Sequence, residues 1–344
     1  MTPLLQGSAI SPTAISTSPQ TSQPWRPPKP NGIPERQPTF ERISAIFQRV
    51  QANVQARTVR PELPYGIPPL DDLTAGLRRG KVAICAARSS QGKTAMASQV
   101  AWQLADAGKT VAFITLEDDR EEIVERLYCH VTRTDNQLLR RGQPPVLTTA
   151  MAVLFDSIRL LVLDNYGYTM PEIAQVVHTL KPTPDVLIVD YAQMIDDEGY
   201  ESEYRALSVF VRQLKLFAEH TRIATLLCSQ VNRQGAQESR PSLHHLARCG
   251  RLEEVANAVL MLYCPARTGE ASFDYQKDGG GFAEGACPLD YFELSVEKNK
   301  TGPRGVVPLR FVGPHYRFEP WVAEARPDPF DPVARAAGDD PVEL

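Results

Sequence analysis

A short run of small and polar residues near position 90 has the composition of a phosphate-binding turn. Residues 82–94 read VAICAARSSQGKT, which fits the pattern GxxxxGK[ST] except that Ala87 replaces the first glycine. A predicted strand precedes the turn and a predicted helix follows it, so backbone N–H groups at the helix start would point at phosphate oxygens. The residues that we predict to bind nucleotide are Ser89, Ser90, Gln91, Gly92, Lys93 and Thr94.

The last residues of this pattern have separate predicted roles. Lys93 would place a positive charge at the β- and γ-phosphates, and the hydroxyl of Thr94 would be a ligand for Mg²⁺. Gly92 would let the backbone approach the phosphates closely. A chance GKT sequence in a loop is the alternative, and the flanking strand and helix argue against it. The sequence therefore predicts a site for ATP and Mg²⁺.

Two acidic residues follow other predicted strands. Asp190 ends the apolar run 185–190, and ligands of open α/β sheets bind at the carboxyl edge of such strands. Asp190 could hold Mg²⁺ there, through water. Glu117 ends the run 111–117 and could orient a water molecule against the γ-phosphate. A solvated strand-end aspartate and a glutamate that only favours a helix start remain the alternatives.

Another predicted strand leads into polar and basic residues. Gln230 lies just beyond it, where a neutral amide could sense the γ-phosphate; an ordinary strand-end amide is the alternative. Four arginines lie farther along, and loops at this edge could track a nucleic-acid backbone by charge. A solvated surface is the alternative for them. The four are Arg233, Arg240, Arg248 and Arg251.

Composition sets wide limits on function. The net charge of the 344 residues is −4, and the tail after Pro320 accounts for all of it, so bulk charge does not indicate nucleic-acid binding. Six scattered cysteines without a CxxC pair favour a reducing, cytoplasmic setting. We expect no membrane span and no signal peptide, because no apolar run is long enough and the N-terminus lacks a charged start before an apolar core.

The elements that must position these residues alternate between strands and helices, which predicts an α/β fold with a parallel sheet covered on both faces. The predicted strands are 82–87, 110–116, 158–163, 185–189, 223–228, 259–263, 291–297 and 306–312. The predicted helices of this body are 94–107, 121–132, 170–180 and 203–219.

Four regions are predicted along the chain. Residues 1–38 form a leader whose nine prolines and few large apolar residues predict disorder. Residues 39–58 carry an apolar stripe at helical spacing, followed by a connector broken by prolines. This amphipathic helix could dock on its own body or on a neighbour, and the pattern does not decide between them. The folded body spans 59–320, and 321–344 is an acidic tail that we expect to be disordered.

Several segments together resemble the C-terminal motor domain of DnaB-type replicative helicases, a RecA-like P-loop ATPase. The resemblance covers roughly residues 60–320, and alanine in place of the first glycine is normal in that family. The matching segments are Gly66-Ile-Pro, Leu70-Asp-Asp-Leu-Thr-Ala-Gly-Leu77, Ala87–Thr94, Leu116-Glu117, Asp190-Tyr-Ala-Gln193, Ser229-Gln-Val-Asn-Arg233 and Lys298-Asn-Lys-Thr-Gly-Pro303.

The resemblance implies a ring of six copies with ATP between neighbours, moving along single-stranded DNA without sequence preference. It assigns Mg²⁺ to Thr94 and Asp190, water activation to Glu117 and γ-phosphate sensing to Gln230. It also implies that Lys298 and Lys300 act across the interface on a neighbour's nucleotide, and that helix 39–58 docks on an adjacent copy. A helicase loader or a primase would be further partners.

The chain departs from the family pattern in several places. The family normally has arginine at the position of Lys300, and lysine lacks the guanidinium fork, although Arg304 is nearby. A DNA-contacting stretch of the family is replaced by 245–250, which displaces its basic residue to Arg248. The segment after Asp190 is acidic, and the usual globular N-terminal domain is not recognised. A filament-forming recombination ATPase of the RecA/RadA type and a nucleotide-controlled scaffold without unwinding activity remain the rival interpretations.

Overall fold

The computed structural model describes residues 42–55, 61–143, 148–164, 169–192, 201–231, 240–246, 250–267 and 287–322. The helices are α1 (Ile43–Gln55), α2 (Pro68–Thr74), α3 (Lys93–Asp106), α4 (Arg120–Thr132), α5 (Asn136–Arg140), α6 (Thr149–Ser157), α7 (Met170–Thr179), α8 (Glu203–Thr221) and α9 (Gly250–Val255). The strands are β1 (Val82–Ala87), β2 (Val111–Thr115), β3 (Leu160–Asp164), β4 (Val186–Asp190), β5 (Ala224–Gln230), β6 (Ala258–Tyr263), β7 (Tyr291–Asn299), β8 (Gly305–Val312) and β9 (Arg317–Pro320).

The nine strands form one sheet in the order β3-β2-β4-β5-β1-β6-β7-β8-β9. The first six strands in this order run parallel, and the last three add on antiparallel. The prediction of a mostly parallel sheet with flanking helices is confirmed. All eight predicted strands are present, with ends that differ by at most two residues.

Side chains alternate between the two faces along each buried strand, so the sheet separates two apolar clusters. In β1, Cys85 and Ala87 face the cluster that contains α3 and α4. Ile84 and Ala86 face the cluster formed with α7, α8 and α9. Helices therefore cover both faces, as the strand pattern predicts. Among the residues that the structure describes, no helix combines the length and apolarity needed to cross a bilayer.

No helix was predicted in the connector that prolines break, and the structure has α2 there. Pro68 occupies the helix start, where no backbone N–H donor is needed, and its fixed φ suits the first turn. The carboxylate of Asp71 accepts hydrogen bonds from the backbone N–H groups of Tyr65 (2.7 Å) and Gly66 (3.0 Å). These bonds fold the preceding segment back onto α2, so the prolines begin a helix instead of interrupting one.

The chain divides into two units, Met1–Gln55 and Ala56–Leu344, and α1 is the described element of the first. The helix predicted over 39–58 is observed from Ile43 to Gln55, and the rest of that range lies outside the described residues. Four of its large apolar side chains are exposed, namely Ile43, Ile46, Phe47 and Val50. The four predicted region boundaries stay predictions.

Candidate active site

The turn between β1 and α3 has a backbone that only particular residues tolerate. Gly92 lies in the left-handed region at φ +83°, and a Cβ there would lie 2.8 Å from Cζ of Phe318. Within the described chain no side chain caps the start of α3, and its first turn contains no acidic residue. The N–H groups at this helix start are therefore available to an anion, as the sequence pattern predicts.

Two contacts with residues at or after the end of β6 stabilise this turn, and neither could be read from the sequence. Nη1 of Arg267, just beyond β6, donates to the carbonyl of Ser90 at 2.7 Å. The guanidinium of Arg88 lies 5.7 Å from the ring centre of Tyr263, within the range of a cation–π contact. Both partners follow or end β6, the strand beside β1, so the neighbouring strand fixes the shape of the turn.

Lys93 is buried beside two groups from the end of β4. Its Nζ lies 4.0 Å from Oδ1 of Asp190 and 4.2 Å from the centre of the Tyr191 ring. The structure thus brings together the lysine and the aspartate that the sequence singled out. Tyr191 was only part of a family motif in the sequence, and its contact with Lys93 could not be read from spacing.

The oxygen atoms at this point suit a hard divalent cation. Asp190 is 1% exposed, yet its Oδ1 has no hydrogen-bond partner among the described residues. Thr94 follows Lys93 in the first turn of α3 and supplies a hydroxyl. The described residues contain no cluster of three or more His, Cys, Asp or Glu side chains able to cage a metal. One carboxylate and one hydroxyl fit Mg²⁺, which usually takes its other ligands from water and substrate phosphates.

Glu117 lies in the turn after β2, at the same edge of the sheet. Thr115 ends β2 in register with Asp190, and the N–H of Leu116 donates to the Asp190 carbonyl at 2.6 Å. Burial raises the pKa of Glu117, Lys93 opposes that rise, and the charges of Asp118 and Asp190 add to it. A carboxylate with a raised pKa is a better proton acceptor, which suits the predicted activation of water.

Gln230 closes the group. It ends β5 in register with Ala87, and the next N–H, that of Val231, donates to the Ala87 carbonyl at 3.0 Å. Because β5 lies between β1 and β4, Gln230 belongs to the strand between Asp190 and the turn 88–92. This turn is predicted to bind nucleotide and is called the nucleotide turn below. The predicted residues of β1, β2, β4 and β5 therefore share the carboxyl edge of the parallel strands, where ligands of such sheets bind.

Comparison with known proteins identifies the family. Residues 62–320 match the DnaB-like helicase C-terminal domain. The chain belongs to this family. It is 29% identical over 295 residues to the replicative DNA helicase DnaC of Bacillus subtilis, covering 81% of this chain and 62% of that protein. It is also 29% identical over 211 residues to a probable plasmid replicative DNA helicase of Chlamydia psittaci, covering 58% of this chain and 46% of that protein.

Solved structures agree with the fold of this DnaB-like chain. A structure described as an ATPase domain superposes with a TM-score of 0.69 at 22% identity, covering 83% of this chain and all of that one. A DnaB-like replicative helicase, described with its interactions with primase, gives a TM-score of 0.69 at 24% identity, covering 81% of this chain and 68% of that one. The resemblance drawn from the motifs is confirmed. The chain spans about three-fifths of the length of the first curated relatives, as for Bacillus subtilis DnaC.

Lys298 and Lys300 are the residues that the resemblance places at an interface between copies. They lie near the amino ends of the parallel strands, opposite the carboxyl edge that carries the nucleotide turn. Lys298 pairs with Val259 near the start of β6, whereas the nucleotide turn follows Ala87, which pairs with Leu262. The side chain of Lys298 donates to the carbonyl of Glu253, and burial lowers its pKa. At about 3.3 Å per residue, several residues of strand separate these cations from the nucleotide turn of their own chain.

Lys300 is exposed, and its backbone is tied to the body. Its N–H donates to the carbonyl of Asn257 at 2.9 Å, and the N–H of Asn257 donates to the carbonyl of Val82, the first residue of β1, at 2.8 Å. The start of β1 is the end farthest from the nucleotide turn. Action of Lys298 and Lys300 on a neighbour's nucleotide stays a prediction, and their place in the fold is compatible with it.

The four arginines predicted to bind DNA differ in their settings. Arg233 and Arg248 lie outside the described residues. Arg240 forms an ion pair with Glu293, which is 1% exposed, so its charge is already matched by a buried carboxylate. Arg251 pairs with Glu254 at 3.0 Å on the surface of α9. The partner of Arg240 lies 53 residues away in the chain and could not be read from the sequence. DNA contact by Arg240 or Arg251 stays a prediction.

Proposed function

We propose that the protein is an ATP-driven, ring-forming helicase or translocase that moves along single-stranded DNA in replication. The observation that carries this proposal is the arrangement of Lys93, Glu117, Asp190 and Gln230 at one sheet edge. Membership of the DnaB-like family, and the replicative helicases among its relatives, support DNA as the track. A primase or a loader is a proposed further partner.

Each residue at the edge has a distinct task in hydrolysis. The N–H groups at the start of α3 and the ammonium of Lys93 would bind the phosphates. Thr94 and Asp190 would hold Mg²⁺, which when bound neutralises phosphate charge. Glu117 would orient water for in-line attack on the γ-phosphate and accept its proton. Gln230, at the end of the intervening strand, would sense whether the γ-phosphate is present.

The two edges of the sheet suggest how copies assemble. The nucleotide turn is at the carboxyl edge, whereas Lys298 and Lys300 are near the amino edge. A head-to-tail contact would place these lysines against the next copy's nucleotide, and such contacts generate rings when the rotation closes. We therefore propose a closed ring of six copies. Lysine would neutralise developing charge in the transition state as a point charge, without a bidentate fork.

Arginine side chains would contact the sugar-phosphate backbone of the DNA. Arg240 and Arg251 follow the β5 strand that carries Gln230, so γ-phosphate sensing and the DNA-tracking segment are adjacent in the chain. Cations that contact phosphates do not discriminate bases, so the enzyme should bind single strands without sequence preference and lose affinity as salt rises.

The proposal is tested by strand displacement on forked DNA, with substrates of both polarities. The wild-type chain should hydrolyse ATP and unwind the forked substrate of one of the two polarities. Lys93→Ala and Glu117→Gln should do neither. Lys109→Ala, which changes a lysine at the amino edge before β2, is the matched control and should behave as wild type. ATP hydrolysis without unwinding would favour a scaffold, and images of open filaments would favour a recombination ATPase.

Action across the interface has its own test. Lys93→Ala copies cannot bind nucleotide productively, and Lys300→Ala copies would lack the charge offered to the neighbour. When the two variants are mixed, some interfaces combine an intact Lys93 with an intact Lys300. ATP turnover above the sum of the separate variants would support action in trans. A simple sum, in samples shown to exchange subunits, would contradict it.

A further inference from the structure

The turn that carries Glu117 is closed by side chains with no part in the proposed chemistry. The hydroxyl of Thr115 donates to the carbonyl of Asp118 at 2.8 Å and accepts from the N–H of Asp118 at 3.1 Å. Glu117 lies within this small ring of bonds, between the last residue of β2 and the start of α4. The direction of its side chain therefore depends on where Asp118 is held.

Arg126, in the second turn of α4, grips the carboxylate of Asp118. Its Nη1 donates to Oδ2 of Asp118, and its Nη2 lies 3.9 Å from the carboxylate of Glu122. The ring of Tyr316 lies 5.9 Å from the guanidinium carbon, within the range of a cation–π contact. The side chains of Arg126 and Asp118 are only 22% and 19% exposed. The pair is thus mostly shielded from water, unlike the exposed surface ion pairs that contribute little.

The electrostatics of the turn agree with this contact. Burial alone would lower the pKa of Arg126, but the hydrogen bond and charge of Asp118 outweigh it, so the guanidinium stays firmly charged. The groups that act on Glu117 come from every neighbouring element: burial, Asp118 and Asp190 raise its pKa, whereas Lys93 and Arg126 lower it. Arg126 is therefore linked to Glu117 both through the turn and through its charge.

We propose that Arg126 is a positioning residue for Glu117, which it holds in place by fixing the carboxylate of Asp118 against α4. The inference rests on the proposed function, since it concerns the carboxylate assigned to orient water. Displacing a reacting group by about 1 Å can cost on the order of a hundredfold in rate. Loss of the contact between Arg126 and Asp118 should therefore lower kcat. Phosphate binding should not weaken, because it is proposed for the start of α3, which is a different element.

The test compares ATP turnover by the full chain with that of Arg126→Ala, Arg126→Lys, Asp118→Ala and the double variant Asp118→Ala/Arg126→Ala. We expect kcat of Arg126→Ala and of Asp118→Ala to fall about ten- to a hundredfold, with KM for ATP within about twofold of wild type. The double variant should be no slower than the slower single one, because both remove the same contact. Arg126→Lys keeps the charge but not the fork, and should restore part of kcat.

A matched control exists on the same helix. Arg120 also pairs with a strand-end carboxylate, but its partner is Asp164 at the end of β3 and not a residue of the 115–118 turn. Arg120→Ala should keep the wild-type kcat.

The pH profile of kcat gives a second readout. Its acid limb, where kcat falls at low pH, should shift to higher pH in Arg126→Ala, because a cation that lowers the pKa of Glu117 is gone. It should not shift in Arg120→Ala. A merely structural role for Arg126 would lower thermal stability without moving this limb.

Wild-type kcat and pH profile in both Arg126→Ala and Asp118→Ala, or fully additive losses in the double variant, would overturn the positioning role alone. If Arg126→Ala fails to fold, the kcat and KM of Arg126→Lys and Asp118→Ala decide, because neither variant removes the cation that would shift the acid limb. No ATP turnover by the wild-type chain, or unchanged turnover by Glu117→Gln, would instead refute the proposed function and the positioning role with it.

Discussion

Replacing Tyr191 by leucine should tighten the binding of ADP. Nζ of Lys93 lies 4.2 Å from the centre of the Tyr191 ring and 4.0 Å from Oδ1 of Asp190. A bound phosphate would draw the ammonium away from the ring, so the contact with the ring competes with the contact with phosphate. Leucine keeps the apolar bulk that packs against the core and removes the π face.

The size of the effect follows from the burial of the lysine. Its side chain is 9% exposed, so the cation–π contact is largely desolvated and should contribute about 1–2 kcal/mol. Because about 1.4 kcal/mol corresponds to a tenfold change in Kd, the Kd for ADP should fall roughly five- to thirtyfold. Titration calorimetry at constant salt and Mg²⁺ measures this. Tyr191→Phe keeps the ring and should bind as wild type. Equal or weaker binding by Tyr191→Leu would refute the reasoning.

Three further predictions concern the turn, the core and the N-terminal helix. Gly92→Ala should raise the Kd for ADP about tenfold or more, because a left-handed φ costs alanine about 1–2 kcal/mol and its Cβ would lie 2.8 Å from Phe318; an unchanged Kd would contradict the account. Burial lowers the pKa of His130 from 6.5 to about 4, so the folded state resists protonation and stability is lost as pH falls from 6.5 toward 4. The free energy of unfolding in urea should therefore fall between pH 7 and pH 4 by about 3 kcal/mol less in His130→Gln than in the wild type. An equal fall in both proteins would contradict this role of His130. Deleting residues 39–58 should reduce the oligomer mass seen by light scattering while leaving ADP binding intact, and an unchanged mass would exclude docking on a neighbour.

Much of the fold and part of the site could be predicted, because the strands, the helices and the residues at their ends follow from local sequence patterns. Apolar runs and helical periodicity placed all eight expected strands, since buried parallel strands are nearly continuous in apolar residues. The short strand β9 was missed. Its four residues carry Arg317 and Glu319, and it is fixed by a long-range contact in which the amide of Gln99 exchanges two 2.8 Å hydrogen bonds with the backbone of Phe318.

The site shows the same division. Lys93, Asp190, Glu117 and Gln230 could be named because each ends or follows a strand or begins a helix. Their assembly at one edge also follows from parallel strands. The tie from Arg267 to Ser90, the ring of Tyr191 beside Lys93 and the pairing of Arg240 with Glu293 could not be named, because each joins residues from different elements.

Residue types at fixed short spacings were enough to establish the class of fold and the family, and to predict a phosphate-binding turn. The folded chain was needed to establish which charges are already paired, that Arg126 pairs with Asp118 beside Glu117, and at which edge Lys298 and Lys300 lie. Those properties depend on strand order and on distances between residues far apart in the chain. A linear pattern carries no information about distance until the sheet has brought its strands together.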